Sequence, residues 1–346
     1  MAMKDKYYEQ AVTCVTGMNI MKKSLSLDNI EIEGQNISYC IFGKGDIDLV
    51  IEMGLGAVAG EWWHIAERLS EQFTVLLYER GRNISKARSP KNIAEELHAL
   101  LMELPYKNKI SFLAHSQGGL YAQQFARMYP EMVRGIVFAD PLSANDNTYK
   151  SVFSTAEEQK KSGFDKTENI CVMRKLASCH LGFVIKLLMR KAPPFYYYDQ
   201  FSPEARKYIL DELTKVSLHD AALEEYRLAH EEKEICQLKE RGNFPQIPIV
   251  LITHGSEFEI KEIMEFGQTT REFAEKVEKL WQSLMQEYLS FSEQSIMLRA
   301  DNSGHYIHLT DFEVIMQALQ TLCFYIGRYY ERQQYVHTTG NHQWKS

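Results

Sequence analysis

The sequence predicts an α/β protein, with a parallel β-sheet covered by helices on both faces and a helical segment inserted into the sheet. Short apolar runs of strand character alternate with amphipathic helical patterns between residues 49 and 140. The alternation then stops, and residues 141–245 show helical patterns and no convincing strand. Strand character resumes at residue 247, so the helical stretch is too long for an ordinary connection and is interpreted as an insert.

The predicted strands are apolar or β-branched runs bounded by glycine or polar residues. They are Ile30–Ile32, Ile37–Phe42, Leu49–Ile51, Phe73–Tyr78, Lys109–Ala114, Val133–Ala139, Ile247–Thr253 and Ser295–Arg299. Only a short turn with Glu33-Gly34 separates the first two, which predicts a hairpin. The predicted helices are Ile93–Glu103, Leu120–Met128, Pro203–Leu213, Asp220–Leu238 and Phe312–Tyr329.

These patterns divide the chain into three parts. Residues 1–25 lack a clear period and are interpreted as a lead-in segment. Residues 26–140 and 246–332 form the predicted α/β core, and residues 141–245 form a helical cap, or lid, inserted into it.

Composition narrows the classes of function. The 346 residues carry 39 Lys+Arg against 46 Asp+Glu, a net charge of −7, which argues against a nucleic-acid binder because such proteins need a basic face. No apolar run approaches the ~20 residues of a membrane-spanning helix, and no secretory leader is evident. Six cysteines without a C-x-x-C pair predict reduced thiols and a cytoplasmic protein. The basic, apolar stretch 173–191 is expected to be a packed lid helix, so membrane contact is not expected.

A strand followed by a tight turn and a helix supplies the candidate nucleophile. The apolar run ending at Ala114 leads through His115 into Ser116, and Gly118 and Gly119 then open a helix. A serine on such a turn takes strained backbone torsions and projects its hydroxyl above the sheet, provided that its neighbours at −2, +2 and +3 are small. All three are small here, so Ser116 is the predicted nucleophile of a nucleophile elbow. The alternative is a plain helix N-cap.

The predicted general base is His305. It follows the last predicted strand and precedes the last helix, so it should lie at the C-terminal edge of the sheet, where Ser116 also lies. His308 is the second choice. His115 is adjacent to the serine, but successive side chains of a strand point to opposite faces, so it should point away from the hydroxyl. No third ligand is near His305 and His308 in the sequence, so no metal site is predicted.

The sequence leaves open which acid orients this histidine, since acids follow two of the predicted strands. Asp140 ends the strand Val133–Ala139 at the same sheet edge and can reach a histidine there. No aspartate follows the strand Ile247–Thr253, where the available acids are Glu257 and Glu259. Asp140 is preferred, Glu257 is the alternative acid, and Glu259 is a third candidate.

Two backbone N–H groups are expected to stabilise an oxyanion. One belongs to Gln117, directly after the serine. The other belongs to Leu55 in the loop after Leu49–Ile51, where Gly54 and Gly56 on either side permit a close approach to the serine.

The same glycine loop admits a rival interpretation. Gly54, Gly56 and Gly60 follow a strand and open a helix, and Glu79 ends the next strand, as in a dinucleotide-binding unit. The spacing is one residue longer than that motif requires, and this interpretation leaves the elbow and the late histidine without a role. It is therefore the weaker of the two.

Aromatic residues are the candidate substrate contacts. Trp62, Trp63 and Tyr197 are expected to line an apolar pocket, in company with other aromatic residues of the insert, namely Phe195, Tyr196, Tyr198 and Phe201. The alternative is that this cluster is the hydrophobic core of the insert.

Together these motifs resemble the α/β-hydrolase superfamily, and in particular the serine hydrolases of Bacillus-type bacteria that carry a helical cap. The resemblance covers residues 30–140 and 245–330. It rests on Ile51–Gly56, Tyr78–Gly81, Gly118–Pro130 and Ser303–His308. It implies an eight-stranded, mostly parallel sheet with helices on both faces, an inserted cap domain and no cofactor.

By the same resemblance, Ser116 is the nucleophile, His305 the base, and Leu55 and Gln117 the oxyanion donors. Two departures stand out: Met53 occupies a position where many members have histidine, and the usual aspartate after the seventh strand is absent. The first is expected to be harmless because backbone groups form the oxyanion site, whereas the second leaves the acid open.

The expected function is that of a carboxylesterase-like serine hydrolase, which cleaves a small ester through an acyl-enzyme. One alternative is hydrolysis of a thioester or a carbon–carbon bond, and another is a ligand-binding or signalling protein of the same fold. Serine in place of an aspartate nucleophile argues against dehalogenase or epoxide-hydrolase chemistry. The expected partner is a small molecule, and the oligomeric state does not follow from the sequence.

Overall fold

A single sheet of eight strands forms the centre of the structure. The computed structural model describes residues 24–189, 194, 197, 201–240 and 242–340, with side chains through residue 327. The strands are β1 Asp28–Ile32, β2 Gln35–Phe42, β3 Leu49–Glu52, β4 Val75–Glu79, β5 Ile110–His115, β6 Val133–Ala139, β7 Ile249–His254 and β8 Ser295–Ala300. Their order across the sheet is β1-β2-β4-β3-β5-β6-β7-β8. The strand β2 pairs antiparallel with β1 and β4, and every other pairing is parallel, which confirms the predicted fold class.

Helices connect the strands. They are α1 Ala59–Leu69, α2 Pro90–Glu103, α3 Gly118–Met128, α4 Thr148–Val152, α5 Ala156–Lys161, α6 Thr167–Ser178, α7 Gly182–Met189, α8 Pro203–Leu213, α9 Val216–Ala229, α10 Glu232–Lys239, α11 Ser256–Gly267, α12 Arg271–Met285, α13 Ile307–Thr310 and α14 Phe312–Gly340. Within the described residues, none of these helices combines the length and the apolarity needed to cross a membrane.

The largest difference from the predicted elements lies in the helices. The predicted helix Asp220–Leu238 is two helices, α9 and α10, because the ring of His230 bonds to the carbonyl of Tyr226 at 2.7 Å and to Asp146 at 3.0 Å where the chain turns. The helices α11 and α12 between β7 and β8 were not predicted.

The chain between β6 and β7 forms the helices α4–α10 and, in its described part, no strand. Helix α8 of this insert packs closely on α1 of the core, since a methyl group at Gly60 would lie 2.8 Å from Ile209. The division into a lead-in, a core and a cap stays a prediction, and nearly all of the lead-in lies outside the described residues.

The sheet is buried on both faces, as a parallel sheet requires. Val50 of β3 belongs to a core cluster that includes Phe125 of α3, on one side of the sheet. The neighbouring residue Ile51 belongs to a second cluster with Ile65 of α1 and Leu319 of α14, on the other side. Successive residues of a strand point to opposite faces, and both faces are buried here. The sequence of such a strand is therefore a continuous apolar run.

A buried guanidinium anchors the loop that follows β3. Arg80, the residue after β4, donates to Glu52 at 2.9 Å and to the carbonyls of Met53 and Gly54, both at 2.8 Å. It also donates to both carboxylate oxygens of Glu225 in α9, at 3.2 and 3.0 Å. These five contacts employ all five N–H donors of the guanidinium. Burial raises the pKa of Glu52 to about 7, although the charge of Arg80 acts in the opposite direction.

We expect the substitution Arg80→Met to lower the free energy of unfolding by ~3–5 kcal/mol, because it leaves Glu52 buried without its cation and Glu225 with the more distant Arg88, at 3.7 Å. Urea denaturation followed by circular dichroism measures this loss. The matched control is Arg271→Met, since Arg271 pairs with Glu257 and Glu275 on the exposed surface at 2.6 and 2.7 Å. A loss no larger than that of the control would contradict the structural role of Arg80.

Candidate active site

Ser116 lies on the tight turn between β5 and α3. Its φ of 53° falls in the left-handed region, which side chains other than glycine rarely adopt. Gly118 makes the turn possible, because a methyl group there would lie 2.3 Å from the carbonyl oxygen of Glu52. A methyl group at Gly119 would lie 2.5 Å from Pro141. The strained serine and these two close approaches are the features of a nucleophile elbow.

Three of the predicted side chains form one hydrogen-bonded line. The Oγ of Ser116 lies 3.0 Å from Nε2 of His305, and Nδ1 of His305 lies 2.6 Å from Oδ2 of Asp140. Because a carboxylate only accepts hydrogen bonds, Nδ1 carries the proton and Nε2 is free to accept the proton of the serine hydroxyl. This is the order of nucleophile, base and acid that acyl transfer requires.

Asp140 is the most heavily bonded group of the site. It follows β6, is fully buried and has a φ of 49°. Its Oδ2 accepts from His254 at 2.7 Å as well as from His305, and its Oδ1 accepts from Nε1 of Trp281 at 3.0 Å. Burial alone would raise the pKa of Asp140, but the charge and hydrogen bond of His254 and the hydrogen bond of His305 hold it well below its ordinary value.

The electrostatics favour a neutral base. Burial lowers the pKa of His305 from its ordinary value of 6.5, while the hydrogen bond to Asp140 acts in the opposite direction. The imidazole of His305 is therefore neutral at neutral pH and able to accept a proton.

His115 and Glu259 hold the backbone of the base. Nε2 of His115 lies 2.9 Å from the carbonyl oxygen of His305, so this nitrogen is the donor. Burial lowers the pKa of His115 to about 3, which keeps the ring neutral. The backbone N–H of His305 donates to Oε2 of Glu259 at 3.2 Å. The ring of His115 thus donates its hydrogen bond to the backbone of His305.

The remaining candidates for acid and base lie elsewhere. Glu257 is exposed on α11 and pairs with Arg271 at 2.6 Å, so its carboxylate does not orient His305. Glu259 contacts the backbone of His305 and not its ring. His308 is buried and stacks on Trp62, with 3.8 Å between ring centroids, and neither ring nitrogen has a hydrogen-bond partner among the described residues. Of the candidate acids, Asp140 is the one whose carboxylate contacts the imidazole.

The aromatic residues proposed as substrate contacts are packed in hydrophobic clusters. Trp62 and Trp63 are 0% and 4% exposed, and Trp63 packs edge-on against Phe42 at 4.8 Å. Tyr197 packs against the apolar cluster of the insert, which includes Ile209. These positions favour the alternative interpretation, in which the aromatic residues fill cores, because α1 turns both tryptophans toward the sheet. Phe195, Tyr196 and Tyr198 lie outside the described residues.

Two partners of Asp140 were missed at the sequence level. His254 ends β7, next to the loop that leads to Glu257 and Glu259. Its position at the end of a strand could therefore have indicated that it lies near the acid. Trp281 lies on α12, a helix that was not predicted, so nothing in the motif pattern pointed to it.

Asp140, His254 and His305 are also the group of described residues whose geometry could hold a metal ion, with one potential ligand atom of each within 4.8 Å of the others. In the structure these atoms bond to one another. A metal would have to displace the protons that both histidines share with the carboxylate. The arrangement therefore fits a hydrogen-bonded group of three side chains better than a metal centre.

Comparisons with known proteins bear on the fold of the chain. Residues 49–212 match the family model for the alpha/beta hydrolase fold. A curated relative, a pimeloyl-[acyl-carrier protein] methyl ester esterase from Yersinia enterocolitica, is 36% identical over 98 residues. That match spans 28% of this chain and 37% of the relative, little more than a third of its length.

Solved structures share the fold along most of the chain. A putative alpha/beta hydrolase from Nostoc sp. PCC 7120 has a TM-score of 0.64 at 16% identity, covering 86% of this chain and 97% of its own. A putative epoxide hydrolase from Pseudomonas aeruginosa has a TM-score of 0.64 at 14% identity, covering 88% and 96%. At these identities the likeness shows the fold alone. Taken with the match of residues 49–212 to the family model and with the strand order, it shows that this chain has the α/β-hydrolase fold.

Proposed function

We propose that this protein is a serine hydrolase that cleaves a small carboxylic ester through an acyl-enzyme. Ser116 is the nucleophile, His305 the general base and Asp140 the acid. The observation that supports this most directly is the unbroken line of hydrogen bonds from the hydroxyl, through both ring nitrogens, to a fully buried carboxylate.

The chemistry follows from the protons that the geometry assigns. Nε2 of His305 takes the hydroxyl proton as Oγ of Ser116 attacks the ester carbonyl, and a tetrahedral oxyanion forms. The imidazolium then gives the proton to the leaving alcohol, and the acyl group remains on Oγ. Water enters, loses a proton to His305 and releases the carboxylic acid. Asp140 stabilises the imidazolium in each half of the cycle.

The loop after β3 is suited to hold the oxyanion together with Gln117, whose N–H directly follows the nucleophile. A methyl group at Gly54 would lie 3.2 Å from Cβ of Ser116, so this loop runs against the serine. The carbonyl of Gly54 points to Arg80. Because N–H and C=O of a trans peptide point in opposite directions, the N–H of Leu55 is directed away from Arg80. We propose Leu55 and Gln117 as the two donors.

The choice of an ester rests on two arguments. A serine nucleophile forms an acyl intermediate that water can hydrolyse, as ester cleavage requires. The curated relative is named for the cleavage of a methyl ester, and its identity with this chain over the matched part is 36%. A small substrate is proposed because Ser116 is only 8% exposed beneath the surrounding residues.

Replacement of the nucleophile should abolish turnover. We expect Ser116→Ala to lower kcat on p-nitrophenyl acetate by at least about 10⁴-fold and to eliminate labelling by a fluorophosphonate, because it removes the hydroxyl that Nε2 of His305 contacts. The matched control is Ser111→Ala, a buried serine on β5, the strand that leads to Ser116, whose Oγ accepts from Arg134 at 2.9 Å. Labelling that persists in Ser116→Ala and maps to another residue would refute the proposal.

The two candidate acids can be separated by amide substitutions. We expect Asp140→Asn to lower kcat by about 10⁴-fold, because an amide can stabilise the wrong tautomer of His305 and does not stabilise its imidazolium. Glu257→Gln should retain wild-type kcat, since Glu257 is exposed and paired with Arg271. Steady-state kinetics on the same ester measure both. A greater loss in Glu257→Gln than in Asp140→Asn would reverse the assignment.

The pH profile should report the lowered pKa of the base. The imidazole must be neutral to accept the serine proton, so kcat/KM falls as the pH drops through the pKa of His305. We expect the acidic midpoint of kcat/KM to lie below the ordinary histidine value of 6.5. Hydrolysis followed at the isosbestic wavelength of p-nitrophenol gives this profile without interference from product ionisation. A midpoint above the ordinary value would contradict the neutral, buried base.

A further inference from the structure

We infer that His254 is a positioning residue of this site: a permanently charged imidazolium, clamped between Asp140 and Glu278, that fixes the acid of the triad and favours the neutral, proton-accepting form of His305. The inference rests on the proposed function, because it assigns His254 a task toward the proposed base. It adds a fourth ionisable side chain to the three of the triad.

The geometry of His254 determines its proton count. The side chain is 2% exposed at the end of β7. Its Nδ1 lies 2.7 Å from Oδ2 of Asp140, and its Nε2 lies 2.8 Å from Oε2 of Glu278. A carboxylate accepts hydrogen bonds, and a ring nitrogen that bonds to one is an N–H donor, so two carboxylate partners favour a ring that is protonated on both nitrogens. A ring with two N–H groups carries a full positive charge.

The clamp is completed by neutral donors that occupy the remaining carboxylate oxygens. Oδ1 of Asp140 accepts from Trp281 at 3.0 Å, and Oε1 of Glu278 accepts from Gln282 at 2.9 Å. Glu278, Trp281 and Gln282 all lie on α12, so a single helix holds both ends of the clamp. One imidazolium between two carboxylates satisfies the requirement that buried charges be paired.

The charged groups around His254 favour its protonated form. Burial alone would lower the pKa of His254, but the charge of Asp140 and the hydrogen bonds to Asp140 and Glu278 hold it well above its ordinary value. Glu259 of α11 acts in the same direction. The other titratable ring nearby is His305, which donates to the same oxygen of Asp140.

His254 affects His305 in two ways. Both rings donate to Oδ2 of Asp140, at 2.7 and 2.6 Å, so His305 shares its acceptor with a cation. In addition, the charge of His254 opposes a second positive charge beside it. Burial is the main cause of the lowered pKa of His305, the bond and charge of Asp140 oppose it, and the charges of Lys166 and His254 add to it. The neutral ring of His115 and the carboxyl of Glu259 also contact His305, and the ring of Tyr306 packs edge-on against it, with 5.2 Å between ring centroids.

The position of His254 explains a departure noted in the sequence. The resemblance implies an aspartate after the seventh strand, and this chain ends that strand with a histidine instead. The acid follows the neighbouring strand β6, and the imidazole at the end of β7 bonds to its Oδ2.

The test has two readouts. The first is NMR of the protein labelled with ¹⁵N-histidine, which reports the proton count of each ring without any need for activity. We expect both ring nitrogens of His254 to stay protonated between about pH 5 and pH 8, where an unperturbed histidine loses a proton. A neutral His254 ring at neutral pH would overturn the inference.

The second readout is the pH profile of fluorophosphonate labelling at Ser116. In His254→Gln the cation is lost and Asp140 bonds more strongly to His305, so we expect the acidic midpoint to move up by about one pH unit. Glu278→Gln removes a negative charge and leaves the cation in place, so it should move the midpoint in the opposite direction, and the NMR readout decides the question if His254→Gln does not fold. The matched control is His230→Gln, because His230 is also paired with a carboxylate, Asp146 at 3.0 Å.

The outcomes separate the two proposals. An acidic midpoint that stays at the wild-type value in a folded His254→Gln or Glu278→Gln enzyme, or that also moves in the control, would overturn the role of His254. Absence of labelling in the wild type, or labelling that survives Ser116→Ala, would instead refute the proposed hydrolase. In that case the NMR readout still establishes whether His254 is charged.

Discussion

The site depends on one buried carboxylate. Asp140 has no exposed surface, yet it accepts hydrogen bonds from the side chains of His305, His254 and Trp281. An unpaired charge at this depth would cost several kcal/mol, so the ionised form persists only while these donors surround it. The donors come from β7, from α12 and from the loop after β8, and the carboxylate thereby ties three successive segments to the end of β6.

Two strained residues place the proposed nucleophile and the proposed acid at the same edge of the sheet. Ser116 and Asp140 have φ values of 53° and 49°, a conformation that costs of order ~1–3 kcal/mol for each residue that is not glycine. Backbone hydrogen bonds from neighbouring segments stabilise both turns. The N–H of Asp140 donates to the carbonyl of Ile252 at 2.8 Å, and the carbonyl of Ser116 accepts from Leu142 at the same distance. Parallel pairing of β5 with β6 therefore sets the distance between the two functional turns.

The sequence was most informative where a motif forces a conformation. Small residues around Ser116 predicted the elbow, and alternating apolar runs predicted all eight strands, because both patterns follow from local sterics and from burial of the sheet. Asp140 could be named only as the preferred acid, since the choice between it and Glu257 depends on contacts between distant segments. His254 and Trp281 were missed for the same reason. The tryptophans of α1 were expected to line a pocket but lie in a core cluster. The sequence could not decide between the two, because an aromatic cluster suits a pocket and a core equally well.

The five bonds of Arg80 join the insert to the catalytic edge. One guanidinium holds the carbonyls of Met53 and Gly54 on one side and the carboxylate of Glu225 in α9 on the other. Withdrawal of α9 would strip the guanidinium of one of its two buried counter-charges. The position of α9 and the orientation of the peptide between Gly54 and Leu55 are therefore coupled, because both depend on the same guanidinium.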